Sequence, residues 1–167
     1  MGNRATVIFA SDDEKTISPA IYLHWNGGPE SIYPFLKELD RRNVRADQEY
    51  EAARFTQIVG DFFDLDAHGG LSLGISNGPK SISAESLNRY DPGDNGIFVV
   101  YRGVSKKVRR FLSRTTNRVR ELTPEEVATE CEQAWKHKYN VPAEGKRLTK
   151  RNKTLSQHLD DGKPVKE

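Results

Sequence analysis

Asp91-Pro-Gly-Asp-Asn-Gly96 runs directly into Ile97-Phe-Val-Val-Tyr101, a dense turn signal followed by the most apolar strand-forming stretch of the chain. That stretch is expected at the centre of a sheet, and the other elements are arranged around it. Val108–Leu112 follows at hairpin distance and is predicted to pair back onto it. Arg118–Leu122 reads as a further short strand.

Working towards the N-terminus, Leu71–Ser76 alternates as a strand and is closed by Asn77-Gly78-Pro79, with a short helical turn near Ala84–Leu87. Ala5–Ala10 and Ala20–Trp25 read as a hairpin. In the second strand Ile21, Leu23 and Trp25 share one face, and Tyr22 and His24 share the other. Two helices follow. The first is capped by Ser31 and carries Ile32, Phe35, Leu36 and Leu39 at helical spacing. The second runs from about Asp47 to Phe62 with Ala52, Phe55, Val59 and Phe62 as its stripe. A third, after Thr123-Pro-Glu-Glu126, has a capping box and proline at its first position, with Val127, Cys131, Ala134 and Trp135 on one face. The order ββααβββα predicts an α+β fold with a mostly antiparallel sheet and helices packed on one face. Ile21, Leu23, Phe35, Leu39, Phe55, Val59, Phe62, Ile97, Val99 and Trp135 are its expected core.

Residues 1–141 are expected to form a single domain, and 142–167 a basic, flexible tail. Beyond Val141 the only apolar side chains are Ala143, Leu148, Leu155, Leu159 and Val165, too few to offset the entropy of ordering the segment. Cys131 is the single cysteine, which excludes an intrachain disulfide. No stretch approaches the roughly 20 apolar residues of a membrane span, and the opening residues reach Asp12 before a signal-length apolar run could form. A cytoplasmic location with no membrane partner is the expectation, and no cofactor is called for.

Charge is distributed unevenly. Residues 1–101 hold 9 Lys/Arg against 15 Asp/Glu, whereas residues 102–167 hold 17 against 9. Lys106, Lys107, Arg109, Arg110, Arg114, Arg118 and Arg120 lie in a stretch with no acidic residue, extended by Lys146–Lys153. Clustered cations on one surface can release counterions from a polyanion, so this region is the candidate surface for a protein complex or for nucleic acid. The alternative is a solvated edge hairpin protected by its charge. If the run is a binding face, reversing Arg109, Arg110 and Arg114 together should abolish binding and leave the melting temperature nearly unchanged.

Two further sites come from local patterns. His24, Asn26, Gly27, Gly28 and Ser31 form a glycine loop ahead of a helix, where exposed N–H groups and the helix dipole could hold an anion. Positive φ at Gly27 or Gly28 and open amides at Glu30–Ile32 are the marks of such a site. Asn26–Ser31 also resembles the Ser-Gly-Gly-x-Asp-Ser loop of ATP pyrophosphatases, but departs from it at Asn26 and Glu30. The competing reading is a tight turn with Trp25 in the core. Asp61, Asp64, Asp66 and His68 are weak candidates for a divalent metal; a calcium loop opening at Asp64 fails because its twelfth position is Ile75. Cys131, on an apolar stripe, reads as a small buried hydrophobe rather than a nucleophile.

Met1-Gly-Asn-Arg-Ala5, Ile21-Tyr-Leu-His-Trp-Asn-Gly-Gly28, Ile58-Val-Gly-Asp-Phe-Phe63, Leu71-Ser-Leu-Gly-Ile75 and Asp94-Asn-Gly-Ile-Phe98 together resemble a family of small proteins encoded by phages, plasmids and other mobile elements. The resemblance covers residues 1–102 and carries no catalytic residue with it. It implies a small, non-catalytic protein that binds and blocks host machinery such as restriction or CRISPR complexes. A nucleic-acid-binding accessory protein using residues 102–153 is the first alternative. A nucleotide-binding enzyme using Asn26–Ser31 is the second.

Overall fold

Alternation along Ile97–Tyr101 puts Phe98 and Val100 on one side of the sheet and Ile97, Val99 and Tyr101 on the other, and all five are buried. A strand with two apolar faces requires cover on both sides. The computed structural model, which describes residues 3–62, 73–113 and 118–136 without the side chains of 61, 62 and 136, shows how that cover is supplied.

The elements are β1 (Ala5–Phe9), β2 (Ala20–Leu23), α1 (Pro29–Arg41), α2 (Gln48–Phe62), β3 (Leu73–Ser76), α3 (Ala84–Leu87, continued by a 3-10 turn over Asn88–Tyr90), β4 (Ile97–Tyr101), β5 (Lys107–Leu112), β6 (Arg120–Glu121) and α4 (Pro124–Lys136). The class is α+β, and the six strands lie in the order β3-β2-β1-β4-β5-β6. Every pairing is antiparallel except β1 with β4, which runs parallel with Val7 opposite Phe98 and Phe9 opposite Val100. β6 is the further short strand read at Arg118–Leu122, which the ββααβββα order did not count, and β4 is inserted beside β1.

One sheet face is the helix side. Val7, Phe9, Ile21, Leu23, Phe98 and Val100 pack there against Ile32, Phe35 and Leu39 of α1, Phe55, Ile58 and Val59 of α2, and Ala134 of α4. Phe55 meets Phe9 and Phe35 edge to face, with ring centroids 5.7 and 6.1 Å apart. On the opposite face, Ile8, Ile97, Val99, Tyr101 and Phe111 are covered by Ile82, Leu87, Tyr90 and Val119. The expected single core is thus two layers, with Ile97 and Val99 in the second. The helices are not all on one face, because α3 and the turn after it close the other. Of the remaining expected core residues, Trp135 is half-buried. The side chain of Phe62 and the tail over 142–167 lie outside the described residues.

Local signals account for most element ends. Thr123 Oγ1 accepts from Glu126 N at 3.2 Å while Glu126 Oε2 accepts from Thr123 N at 2.9 Å, so the capping box forms as read. Asp47 Oδ1 accepts from Tyr50 N at 3.1 Å and opens α2. α1 differs from its expectation. Its N-cap is Gly28, extended at φ −72° and ψ 158°, with Pro29 at the first helical position. Ser31 is a buried helical residue, and Pro34 falls inside the helix. Pro34 cannot donate an i−4 bond, and its ring is buried.

Candidate functional site

The arginines of the basic run are mostly engaged inside the molecule. Arg110 is 1% exposed. It shares its sheet face with Val108, so strand alternation sends it into the helix layer. There its Nε donates to Glu130 Oε2 of α4 at 2.9 Å, and one terminal nitrogen donates to the carbonyls of Asn95 and Ile97. Arg109 points to the other face. It donates to Glu121 at 2.6 and 2.8 Å, to Glu14 Oε1 at 2.7 Å and to the Tyr101 hydroxyl at 3.2 Å. Arg120 pairs with Glu126 at 2.8 Å. Arg102 donates to Glu51 at 2.8 Å, to Asp40 at 2.9 Å and to the Val44 carbonyl at 3.0 Å.

The expected shared exposed face of Lys106, Arg109, Arg110, Arg114 and Arg118 is accordingly not formed. Arg109 and Arg110 lie on opposite sides of β5, and Arg110 is core. Lys106, Lys107 and Arg118 are exposed, and Arg114 lies outside the described residues. Much of the sequence's charge asymmetry closes on itself, since acidic Glu14, Asp40 and Glu51 from the first half pair with arginines of the second.

These pairs leave their mark on ionisation. Burial, reinforced by the Glu14 hydrogen bond, pushes the Tyr101 hydroxyl up to about 12. Burial raises the Glu51 carboxyl above its ordinary value although Arg102 works against it. Glu121 is held below the usual range by the hydrogen bonds of Arg109.

The glycine loop is organised as a packing device. Positive φ falls on Asn26 (55°), not on either glycine. Gly27 is required by space, since a Cβ there would sit 2.5 Å from the Ala5 nitrogen. A Cβ on Gly28 would meet the Glu30 carboxylate, which folds back over the start of α1 and accepts from Asn3 Nδ2 at 3.3 Å. The amides of Ser31 and Ile32 both donate to the Gly28 carbonyl, and Ser31 Oγ faces Asn26 Oδ1 at 3.5 Å. With a carboxylate already over the helix start and these amides occupied, the loop offers an anion no seat. His24 Nδ1 bonds the Tyr22 hydroxyl at 2.9 Å, consistent with their shared face. Trp25 does not join the core. β2 ends at Leu23, Asn3 N donates to the His24 carbonyl, and the chain leaves the sheet with Trp25 38% exposed.

Among the described residues no group of three or more His, Cys, Asp or Glu side chains converges on a metal-sized position. The side chains of Asp61, Asp64, Asp66 and His68 lie outside the described residues. No described helix is long and apolar enough to cross a membrane.

What the fold does assemble is a cleft of about 560 Å³ between the loop after α1 and the β4–β5 hairpin. Among the described residues Arg45, Arg102, Lys106 and Lys107 line it with a single carboxylate, Asp40, which Arg102 already engages. Its floor is aliphatic: Leu36, Val44, Val100 and Val108. The hairpin wall is fixed from behind. Asp12 accepts from the amides of Val104 (2.7 Å) and Ser105 (3.1 Å) and from the Ser105 hydroxyl, which holds its carboxyl below the usual range. Lys106, at φ 43°, ends this turn in a left-handed conformation. Of these wall residues Lys106 and Lys107 belong to the basic run. Arg45 stood outside it, and only the fold brings it opposite them.

Against protein-family models, curated proteins and solved structures, the chain finds no match.

Proposed function

We propose that this chain is a non-catalytic binding protein of a phage or mobile element that blocks a host defence complex by occupying it stoichiometrically. The observation that carries the reading is the cleft, in which cations from two distant segments surround an aliphatic floor. A surface of that composition suits a protein interface, with an apolar centre and a charged rim. The resemblance of residues 1–102 to mobile-element proteins supplies the setting. The nucleic-acid alternative keeps Lys106 and Lys107 but loses Arg109, Arg110 and Arg120 to internal pairs, which shortens any phosphate track. The nucleotide-enzyme alternative loses its anion seat at Asn26–Ser31.

The test is titration of the protein into DNA-cleavage reactions of purified restriction and CRISPR effector complexes. Inhibition should saturate at a fixed molar ratio to the complex and stay constant with preincubation time. Inhibition that grows with time at substoichiometric protein would indicate turnover and overturn the reading. So would inhibition relieved by excess DNA alone, which would indicate competition for nucleic acid.

A further inference from the structure

We infer that the cleft receives an acidic protein segment in which carboxylates flank one aliphatic side chain; the inference rests on the binding reading above and specifies its occupant. Charge sets the first requirement. Lys106, Lys107 and Arg45 are exposed; the Arg45 guanidinium approaches Asp47 at 3.8 Å and lies 4.7 Å from the Tyr50 ring centroid. Among the described residues the one carboxylate lining the cleft, Asp40, is bound by two nitrogens of Arg102 at 3.0 and 2.9 Å. The occupant must therefore bring negative charge of its own.

The floor sets the second requirement. Val44 and Val108 are half-buried and present aliphatic carbon to the cavity, with Leu36 and Val100 beneath them. A nucleobase would need an aromatic face on which to stack. Among the described residues the one aromatic lining the cleft, Tyr101, is 1% exposed, and the Lys107 ammonium lies 5.0 Å from its ring centroid. An aliphatic side chain between acidic neighbours fits the floor and the rim together; a nucleic acid fits the rim alone.

Rigidity is the third element. Asp12 holds the hairpin through the Val104 and Ser105 amides, and Arg102 ties β4 to the Val44 carbonyl at 3.0 Å, so both walls are fixed before anything binds. Preorganised walls limit the ordering that binding would otherwise require.

The experiment follows amide chemical shifts of the nitrogen-15-labelled full chain during titration with three probes. These are the blocked peptide Asp-Glu-Leu-Glu-Asp, the same peptide with Ser for Leu, and an oligothymidylate of equal charge. The Leu peptide should move the amides of Val44, Arg45 and Lys106–Val108, and the Ser peptide should bind roughly ten-fold more weakly. Lys106→Glu with Lys107→Glu should weaken the Leu peptide at least about ten-fold, with an unchanged melting temperature showing that the fold is intact. Equal affinity for the Leu and Ser peptides, stronger binding of the oligothymidylate at the same amides, or no response to any probe would each overturn the inference. The two readings separate cleanly. Inhibition of a host complex that survives the Lys106/Lys107 reversal would remove the function from the cleft and leave the peptide site standing. Inhibition lost on reversal without peptide binding would do the opposite.

Discussion

The guanidinium of Arg110 lies 3.5 Å from the centroid of the Phe98 ring while its Nε donates to Glu130 Oε2 at 2.9 Å, so a cation from the most basic stretch of the chain is part of the core. A buried ion pair contributes little net stability, but removing one partner strands the other and costs about 3–5 kcal/mol. Arg110→Ala is expected to lower stability by roughly that amount, measured by denaturant unfolding, whereas Lys106→Ala on the exposed turn should stay within about 0.5 kcal/mol. Charge reversal across Arg109, Arg110 and Arg114 therefore tests folding, not binding. Equal effects of Arg110→Ala and Lys106→Ala would contradict this account.

Gly27 and Gly28 are adjacent in sequence and differ in what a methyl group would meet. At Gly27 the obstacles are backbone, the Ala5 nitrogen at 2.5 Å and the Arg4 carbonyl carbon at 2.6 Å. At Gly28 the obstacle is the Glu30 carboxylate, the far end of a side chain that can swing away. Gly27→Ala should cost about 1–3 kcal/mol or more, and Gly28→Ala under about 1 kcal/mol. Thermal unfolding of the two variants checks the order, and a reversed order would show that the close approach of the Arg4–Ala5 backbone is not the constraint.

The class and most of the elements were legible because local signals wrote them. The Thr123–Glu126 box, the stripes of α1 and α2 and the turn before Ile97 all act within a few residues. Parallel pairing of β1 with β4 was not legible, since nothing local distinguishes it from an antiparallel neighbour. Arg110 was partly legible. Val108 and Arg110 share a strand face by alternation, and a valine pointing at helices takes its i+2 neighbour with it. The acceptor, Glu130, is 20 residues away and became visible only with the fold. Trp25 misled because alternation was extended two residues past Leu23, where the chain leaves the sheet. The cleft was illegible for a simpler reason: Arg45 and Lys106 are neighbours only after the hairpin closes on the α1–α2 loop.

Among the helix-side carboxylates, Glu38 should keep its charge well into acid and tie stability to doing so. It is fully buried, and Arg41 and Arg42 each donate to it at 2.6 Å. Burial alone would raise its carboxyl, but the two guanidinium bonds outweigh it and hold it below the ordinary 4.5. With the folded value depressed, stability is complete above about 4.5, the unfolded value. It is lost as pH falls towards the folded value, because the unfolded chain takes up the proton first. Glu38→Gln should lower stability at neutral pH and flatten the decline below 4.5. An acid limb as steep as in the unmodified protein would assign the decline to Asp12, Asp94 and Glu121, whose carboxyls are also held low.

Glu51 should respond with the opposite sign. Its carboxyl is raised by burial, and Arg102 is the partner that restrains the rise, through a 2.8 Å bond to Oε1. The other oxygen, Oε2, is buried without a hydrogen-bond partner. Arg102→Met keeps an aliphatic stem in the cleft wall but leaves Glu51 with no cation, at a cost of about 3–5 kcal/mol at neutral pH. The folded value then climbs further above 4.5, so stability is present in full below 4.5 and lost as pH rises through the folded value. The Arg102→Met protein should accordingly become more stable, relative to the unmodified protein, as pH is lowered from 7 towards 5. Glu51→Gln placed on Arg102→Met should recover much of the loss and abolish that pH dependence, a coupling read from a double-mutant cycle by denaturant unfolding. If the two substitutions are additive, Asp40 and the Val44 carbonyl hold Arg102 without Glu51, and the buried pair does not pin the cleft.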